Sequence, residues 1–251
     1  MTHKFEKALH FLLSLCVIDG FLYFQTPSKG RHSYSVTLSM TATKKDGGIL
    51  ELLPPFMDSN PLKRSIINDA LINAAVENVE KLLIVTFRGC GGTDISVGKL
   101  RAYMGEVYSS SWECSMTQRS RFLDVRVVLP IERFAKSVEE FGTDPSVSVL
   151  MTDCEAKDAS GLLKTINKRR SSKNVKDLSL LSFYSLSSLA FDESCFYLEN
   201  ESAGNESFVF SSVACGGTFD VMHSGHKKLL TCAASCCQAD GILTVGVTAD
   251  E

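Results

Sequence analysis

The sequence predicts an α/β protein, with an N-terminal mixed α/β domain followed by a C-terminal βαβ unit. Three observations predict it. Strand-type and helix-type hydrophobic patterns alternate from about residue 48 onward. The apolar run Leu82-Leu83-Ile84-Val85-Thr86-Phe87 has the near-continuous character of a strand buried on both faces. Near the end of the chain, two β-rich runs flank a helical stretch, and Gly216-Gly217 stands at the first turn.

Residues 1–40 read as a leader or poorly ordered extension. Lys4 and Lys7 precede the apolar stretch Phe11–Ile18, but Asp19 and Gly20 break it and it is too short to span a bilayer. Met40 offers an alternative start. Residues 41–155 form the N-terminal α/β domain. Ile49–Leu53, stopped by Pro54-Pro55, reads as a strand. Residues 62–79 read as a helix, because Ile66, Ile67, Ala70, Leu71, Ala74, Ala75 and Val76 build one wide apolar face. The strand at 82–87 ends in a glycine turn, and further strands are expected at 122–130 and 147–151.

Residues 156–207 read as a polar linker with a helix. Lys164, Lys168, Arg169, Arg170, Lys173 and Lys176 cluster there without interleaved aromatics, the pattern of a solvated helix face. Residues 177–198 read as a helix followed by a strand, and 199–207 as a loop. The triplets at Asn200 and Asn205 have the glycosylation pattern, which matters only in a secreted chain.

Charge narrows the function classes. With 26 basic and 29 acidic residues the formal net charge is -3, so the whole chain has no electrostatic reason to bind nucleic acid. Nine dispersed cysteines without a C-x2-C pair indicate reduced thiols in a reducing compartment, so a cytoplasmic protein is expected, and the lack of a bilayer-length apolar run leads to no membrane partner being expected.

The chemistry concentrates in residues 208–251. The run 208–214 is β-rich, a helix is expected over 223–238 with Leu229, Leu230, Ala233, Ala234 and Cys237 as its packing face, Gly241 closes that helix, and 243–247 is a second strand. The glycine bend before a helix start offers backbone N–H groups and the positive end of the helix dipole to an anion. His223 and His226 lie three apart, so both imidazoles can face one spot. Group transfer at phosphorus needs donors that meet charge growing on non-bridging oxygens, and two imidazoles with the Thr218 hydroxyl supply them. A binding loop alone would need the glycines but not the histidines. A metal site would need a third ligand, which is not nearby. Cys90-Gly91-Gly92-Thr93-Asp94 echoes the bend after the strand at 82–87, without a histidine pair behind it.

Gly216-Gly217-Thr218-Phe219-Asp220 followed by His223-Ser224-Gly225-His226-Lys227-Lys228-Leu229-Leu230, with Val245-Gly246-Val247-Thr248-Ala249-Asp250-Glu251, resembles the nucleotidyltransferases that carry an HxGH element. Within them it looks most like eukaryotic-type phosphopantetheine adenylyltransferase. The resemblance covers about 40 residues. It implies the first βαβ unit of a Rossmann-like nucleotidyltransferase domain and an adenylyl transfer. ATP and 4′-phosphopantetheine would be the substrates, Mg2+ the metal, and dephospho-coenzyme A and pyrophosphate the products. By position, it implies that His226 stabilises the α-phosphate under attack, that Thr218 orients the attacking phosphate, and that His223 fills the first motif position. It further implies that Gly216, Gly217, Thr218, Phe219, Gly225 and His226 hold the nucleotide. The related cytidylyltransferases of phospho-alcohols share the motif and are the alternative. A non-catalytic protein that kept half a nucleotide site is a third reading. The family's substrate lysine and its later basic Ser/Thr-rich segment find no counterpart before Glu251, so the resemblance is to a C-terminally truncated form.

Overall fold

The computed structural model describes strand pairing at residues 20–25 and 35–40, and residues 44–88, 96–117, 123–129, 137–154, 156–184, 209–219 and 221–248, at 117, 137–139, 156–160 and 239 for the backbone alone. The apolar stretch near the N-terminus, the glycosylation-type triplets, the Cys90–Asp94 echo and Asp220 lie outside the described residues.

Strands β1 (Gly20–Gln25) and β2 (Ser35–Met40) pair as an antiparallel ladder in a stretch where sequence patterning gave no element. The main sheet holds β3 (Lys45–Leu52), β4 (Val79–Phe87), β5 (Asp124–Val128), β6 (Val147–Thr152) and β7 (Ser179–Ser182). All its pairings are parallel, in the spatial order β5-β4-β3-β6-β7. The chain winds outward from β3 to β5, then crosses back to lay β6 on the other side of β3. This is a doubly wound α/β sheet with its switch point between β3 and β6. The expected α/β fold with a mostly parallel sheet is therefore present, consistent with a Rossmann-like architecture.

Helices α1 (Pro61–Asn78), α2 (Val97–Thr117), α3 (Ser137–Gly142) and α4 (Ala156–Ser172) connect the strands. Pro61 opens α1, and the Asn60 side chain accepts from the Lys63 amide at 2.9 Å, so a favourable first residue and an N-cap fix its start. On one face of the sheet, Leu50, Leu52, Leu83, Val85, Val125 and Met151 pack with α1 and with Leu100, Met104 and Val107 of α2. On the other, Ile49, Ile84, Leu150 and Ile166 of α4 make a second core. Alternate residues of β3 and β4 thus enter opposite cores, which is why their sequences are apolar almost throughout.

Helix α2 is the main element that the sequence reading passed over. Leu100, Tyr103, Met104, Val107, Tyr108, Ser111 and Ser115 are all buried, a full helical stripe whose later positions are serines. The serines hid it, since they bond back to the carbonyls of Val107 and Ser111 and need no apolar partner. The expected helix at the start of 177–198 is instead β7, a four-residue edge strand. Short apolar runs of this kind do not distinguish helix from strand by periodicity. Arg170 departs from the solvated basic face. It is buried, and its guanidinium donates to the carbonyls of Lys176, Gly142 and Asp144, tying the end of α4 to the turn before β6.

At the carboxyl ends of β3, β4 and β6, Asp153 lies fully buried between Arg64 and Arg88. Arg88 also donates to Thr152 and to the Cys154 sulfur, and Arg64 to Asp58. Burial alone would raise the Asp153 carboxyl, but the hydrogen bonds from the two arginines outweigh it and hold its pKa below the ordinary value. Glu51 beside it is shifted the other way by burial, which exceeds the pull of Arg88.

The C-terminal unit comprises β8 (Phe210–Gly217), α5 (Ser224–Cys236) and β9 (Cys237–Val247). β8 and β9 pair in parallel, with Gly216 opposite Gly246. Two expectations for this unit need correction. Leu229 is exposed, and the buried helix residues are Ala233 and Ser235, because the face turned to α2 is the one on which Arg101 bonds Ser235. Gly241 lies within β9 and does not close the helix. A Cβ there would stand 2.8 Å from the Ser211 carbonyl oxygen, so the close approach of β8 requires glycine.

Arg101 of α2 holds α5 in place, donating to the Ser235 hydroxyl at 2.7 Å and to the Ser235 carbonyl at 2.5 Å. Lys227 adds an ion pair to Asp124 at the start of β5. Arg101→Ala is expected to raise amide exchange across α5 by about tenfold while leaving β3 and β4 protected. A bond from a charged donor contributes roughly 1.5–3 kcal/mol, and partial exposure puts this one at the low end. Unchanged α5 exchange would show that apolar contact alone seats the helix. Among the described residues no helix is long and apolar enough to cross a membrane.

Candidate functional site

The site forms where β8 turns into α5. Gly216 and Gly217 end β8, and Thr218 follows as an exposed residue. A Cβ on Gly216 would come within 3.3 Å of the Gly246 carbonyl oxygen, so the strands meet closely at this bend. Phe219 takes a positive φ of 49°, a left-handed conformation that bulky residues seldom adopt. Its ring lies over Gly217, where a Cβ would be 3.3 Å from the ring, and against His226, with centroids 4.8 Å apart. Phe219 therefore fills the space between the bend and His226, a contact that residue spacing does not predict.

His223 is the N-cap of α5. Its Nδ1 accepts from the Gly225 amide at 3.1 Å, which places its proton on Nε2. The ring folds back so far that a Cβ on residue 225 would meet it at 3.0 Å, the local reason for glycine at the third motif position. His226, one turn on, sets its Nδ1 3.0 Å from the Val221 carbonyl oxygen. A carbonyl only accepts, so Nδ1 carries the proton and Nε2 presents a lone pair unless a second proton arrives. The two imidazoles stack, with centroids 3.9 Å apart and planes 24° from parallel.

The spacing argument for two rings on one spot thus has a geometric counterpart. Gly216, Gly217, Thr218, Phe219, His223, Gly225 and His226 all fall within the bend and the first helical turn. His223 offers a donor and neutral His226 an acceptor, and the positive end of a 13-residue helix lies beneath both. Such an arrangement can bind an anion and exchange a proton with it. Among the described residues no three His, Cys, Asp or Glu side chains converge as a metal site, and the six described cysteines are free.

Sequence reasoning did not foresee a second wall. Tyr108, Ser109, Trp112 and Glu113 of α2 face His223, Ser224, Gly225 and Lys228 across an open cleft of about 500 Å³. The signal was present: once the buried stripe of α2 is recognised, Ser109, Trp112, Glu113 and Met116 fall together on its outer face at helical spacing.

Residues 214–251 match the family described as cytidylyltransferase-like. No curated protein and no solved structure matches the chain. The matched segment begins within β8 and contains the bend, both histidines and β9, so it contains the whole histidine–glycine constellation. It includes none of the five-stranded sheet.

Proposed function

We propose that the protein is a nucleotidyltransferase that moves AMP from ATP to 4′-phosphopantetheine, giving dephospho-coenzyme A and pyrophosphate. The observation that carries this reading is the stacked imidazole pair at the first turn of α5, behind the glycine bend, inside the cytidylyltransferase-like segment. The adenylyl donor and the pantetheine acceptor come from the motif resemblance.

In this reading the acceptor phosphate oxygen attacks the α-phosphorus directly and pyrophosphate leaves, with no covalent bond to the protein. The His223 Nε2–H donates to a non-bridging oxygen as charge grows there. His226 does the same once its Nε2 is protonated, and its Nδ1 bond to Val221 fixes the ring angle. Thr218 stands exposed beside the bend, where its hydroxyl can orient the incoming phosphate. Phe219 must move off His226 and Gly217 for a phosphate to reach them. The donor set at the bend is imidazole, hydroxyl and backbone N–H, without converging carboxylates among the described residues. These donors would meet the phosphate oxygens, and a Mg2+ brought in with the nucleotide would supply further charge neutralisation there.

A second reading, transfer of CMP from CTP to a phospho-alcohol, is favoured by the description of the matched family. Pyrophosphate release, measured with ATP or CTP against 4′-phosphopantetheine or phosphocholine, separates the two. The proposal expects turnover with ATP and 4′-phosphopantetheine. Turnover confined to CTP and phosphocholine would replace it with the second reading, and none with any pair would leave the segment as a nucleotide-binding module.

A further inference from the structure

We infer that the cleft between α2 and the start of α5 is the acceptor site, and that Trp112 is its recognition surface. The inference rests on the proposed transfer reaction, because it assigns this cleft to one of that reaction's two substrates. At about 500 Å³ the cleft has the size of a small-molecule site. One wall belongs to the reacting centre and the other does not.

On the α5 side stand His223, Ser224, Gly225 and Lys228. These supply an imidazole donor, the positive end of a helix and an ammonium group, which together suit a phosphate. The Lys228 chain lies across Gly105 of α2, where a Cβ would stand 2.8 Å from its Nζ. Glycine at this point lets the ammonium group lie alongside α2, at the edge of the cleft. On the α2 side, Tyr108 gives a buried aromatic floor, and Trp112 stands half exposed, with 49% of its surface open. Glu113 adds a carboxylate that can accept from an amide, hydroxyl or ammonium group.

A ligand matching this order carries a phosphate at one end and a largely apolar chain with hydrogen-bond donors at the other. Its phosphate would rest at Lys228 and the first turn of α5, beside the His223 that meets the α-phosphate, and its organic portion on Trp112. Of the residues assigned to the nucleotide, Gly216, Gly217, Thr218, Phe219 and His226 lie outside the cleft lining, while Gly225 and the neighbouring His223 line it, so the two substrates would meet at the first turn of α5. The acceptor is thus read by a helix outside the matched segment, so the N-terminal sheet domain carries the substrate specificity of the C-terminal unit.

Trp112 is the only tryptophan in the chain, so its fluorescence reports on this cleft alone. Titration of the full chain with 4′-phosphopantetheine or phosphocholine is expected to change the emission in a saturable way for the true acceptor. Magnesium with ATP or CTP is expected to leave it unchanged beyond absorption by the base. Trp112→Ala is expected to raise the KM for the acceptor about tenfold with the KM for nucleotide unmoved. Lys228→Gln is expected to weaken the acceptor similarly while keeping the tryptophan signal available.

No emission change with either acceptor, or one produced by nucleotide alone, overturns the assignment. Transfer whose acceptor KM ignores Trp112→Ala removes the site and leaves the proposed function. A saturable acceptor signal in a protein that transfers nothing removes the function and leaves the site.

Discussion

Asp153→Asn is expected to lower stability by about 3 kcal/mol, enough to lower the melting temperature by roughly 10 °C in a chain of this size. The carboxylate is fully buried between Arg64 and Arg88, so losing its charge leaves the arginine at the start of α1 and the one at the end of β4 with less compensation. Breaking a buried ion pair by removing one partner costs roughly 3–5 kcal/mol. Arg64 keeps Asp58 and Arg88 is partly exposed, which sets the effect at the lower end. Against a total of about 5–15 kcal/mol this is a large fraction.

The pH dependence has a definite sign. The arginines depress the folded-state pKa of Asp153, so its stabilisation is complete above the unfolded value of about 3.9 and is lost as pH falls through the lower folded value. Glu51 works oppositely: its raised folded value gives stability at low pH that is lost as pH rises. The wild type should therefore weaken in acid, and Asp153→Asn should weaken less steeply there. Urea melts across acidic pH test both statements. A variant as stable as the wild type at neutral pH would mean that the network contributes no net stability.

His226→Ala is expected to reduce transfer by about 10²–10³-fold, the usual loss on removing one donor to a developing oxyanion. The fold should persist, because the ring sits at an exposed helix start and gives up only one bond to Val221 and its contacts with Phe219 and His223. His223 needs a subtler test, since alanine there removes the N-cap as well, at about 0.5–2 kcal/mol. His223→Asn keeps a capping oxygen and loses the imidazole, so it should retain helicity and lose transfer. Steady-state rates, with circular dichroism as the control, decide it. Near-normal rates in His226→Ala would exclude the proposed role.

The sequence by itself determined the alternation of strands and helices and the whole constellation at 216–226. In both cases the determinants are local. A buried parallel strand must be apolar throughout, and a bend that presents amides to an anion must contain glycine. A histidine at an N-cap and another three residues on stand at the same helix end, although only the folded cap brings their rings together. The β1–β2 ladder, helix α2, strand β7 and the burial of Arg170 were decided only by tertiary contacts. Serines filled the buried stripe of α2, and two leucines carried β7, so neither pattern rose above its surroundings. Arg170 sits among solvated cations in sequence, and only its carbonyl partners from the turn before β6 set it apart. The stacking of the imidazoles, the ring of Phe219 over Gly217 and the wall raised by Trp112 also belong to the fold. They join residues through the packing of α5 on α2 and the path of the bend, and spacing along a chain carries no record of such meetings.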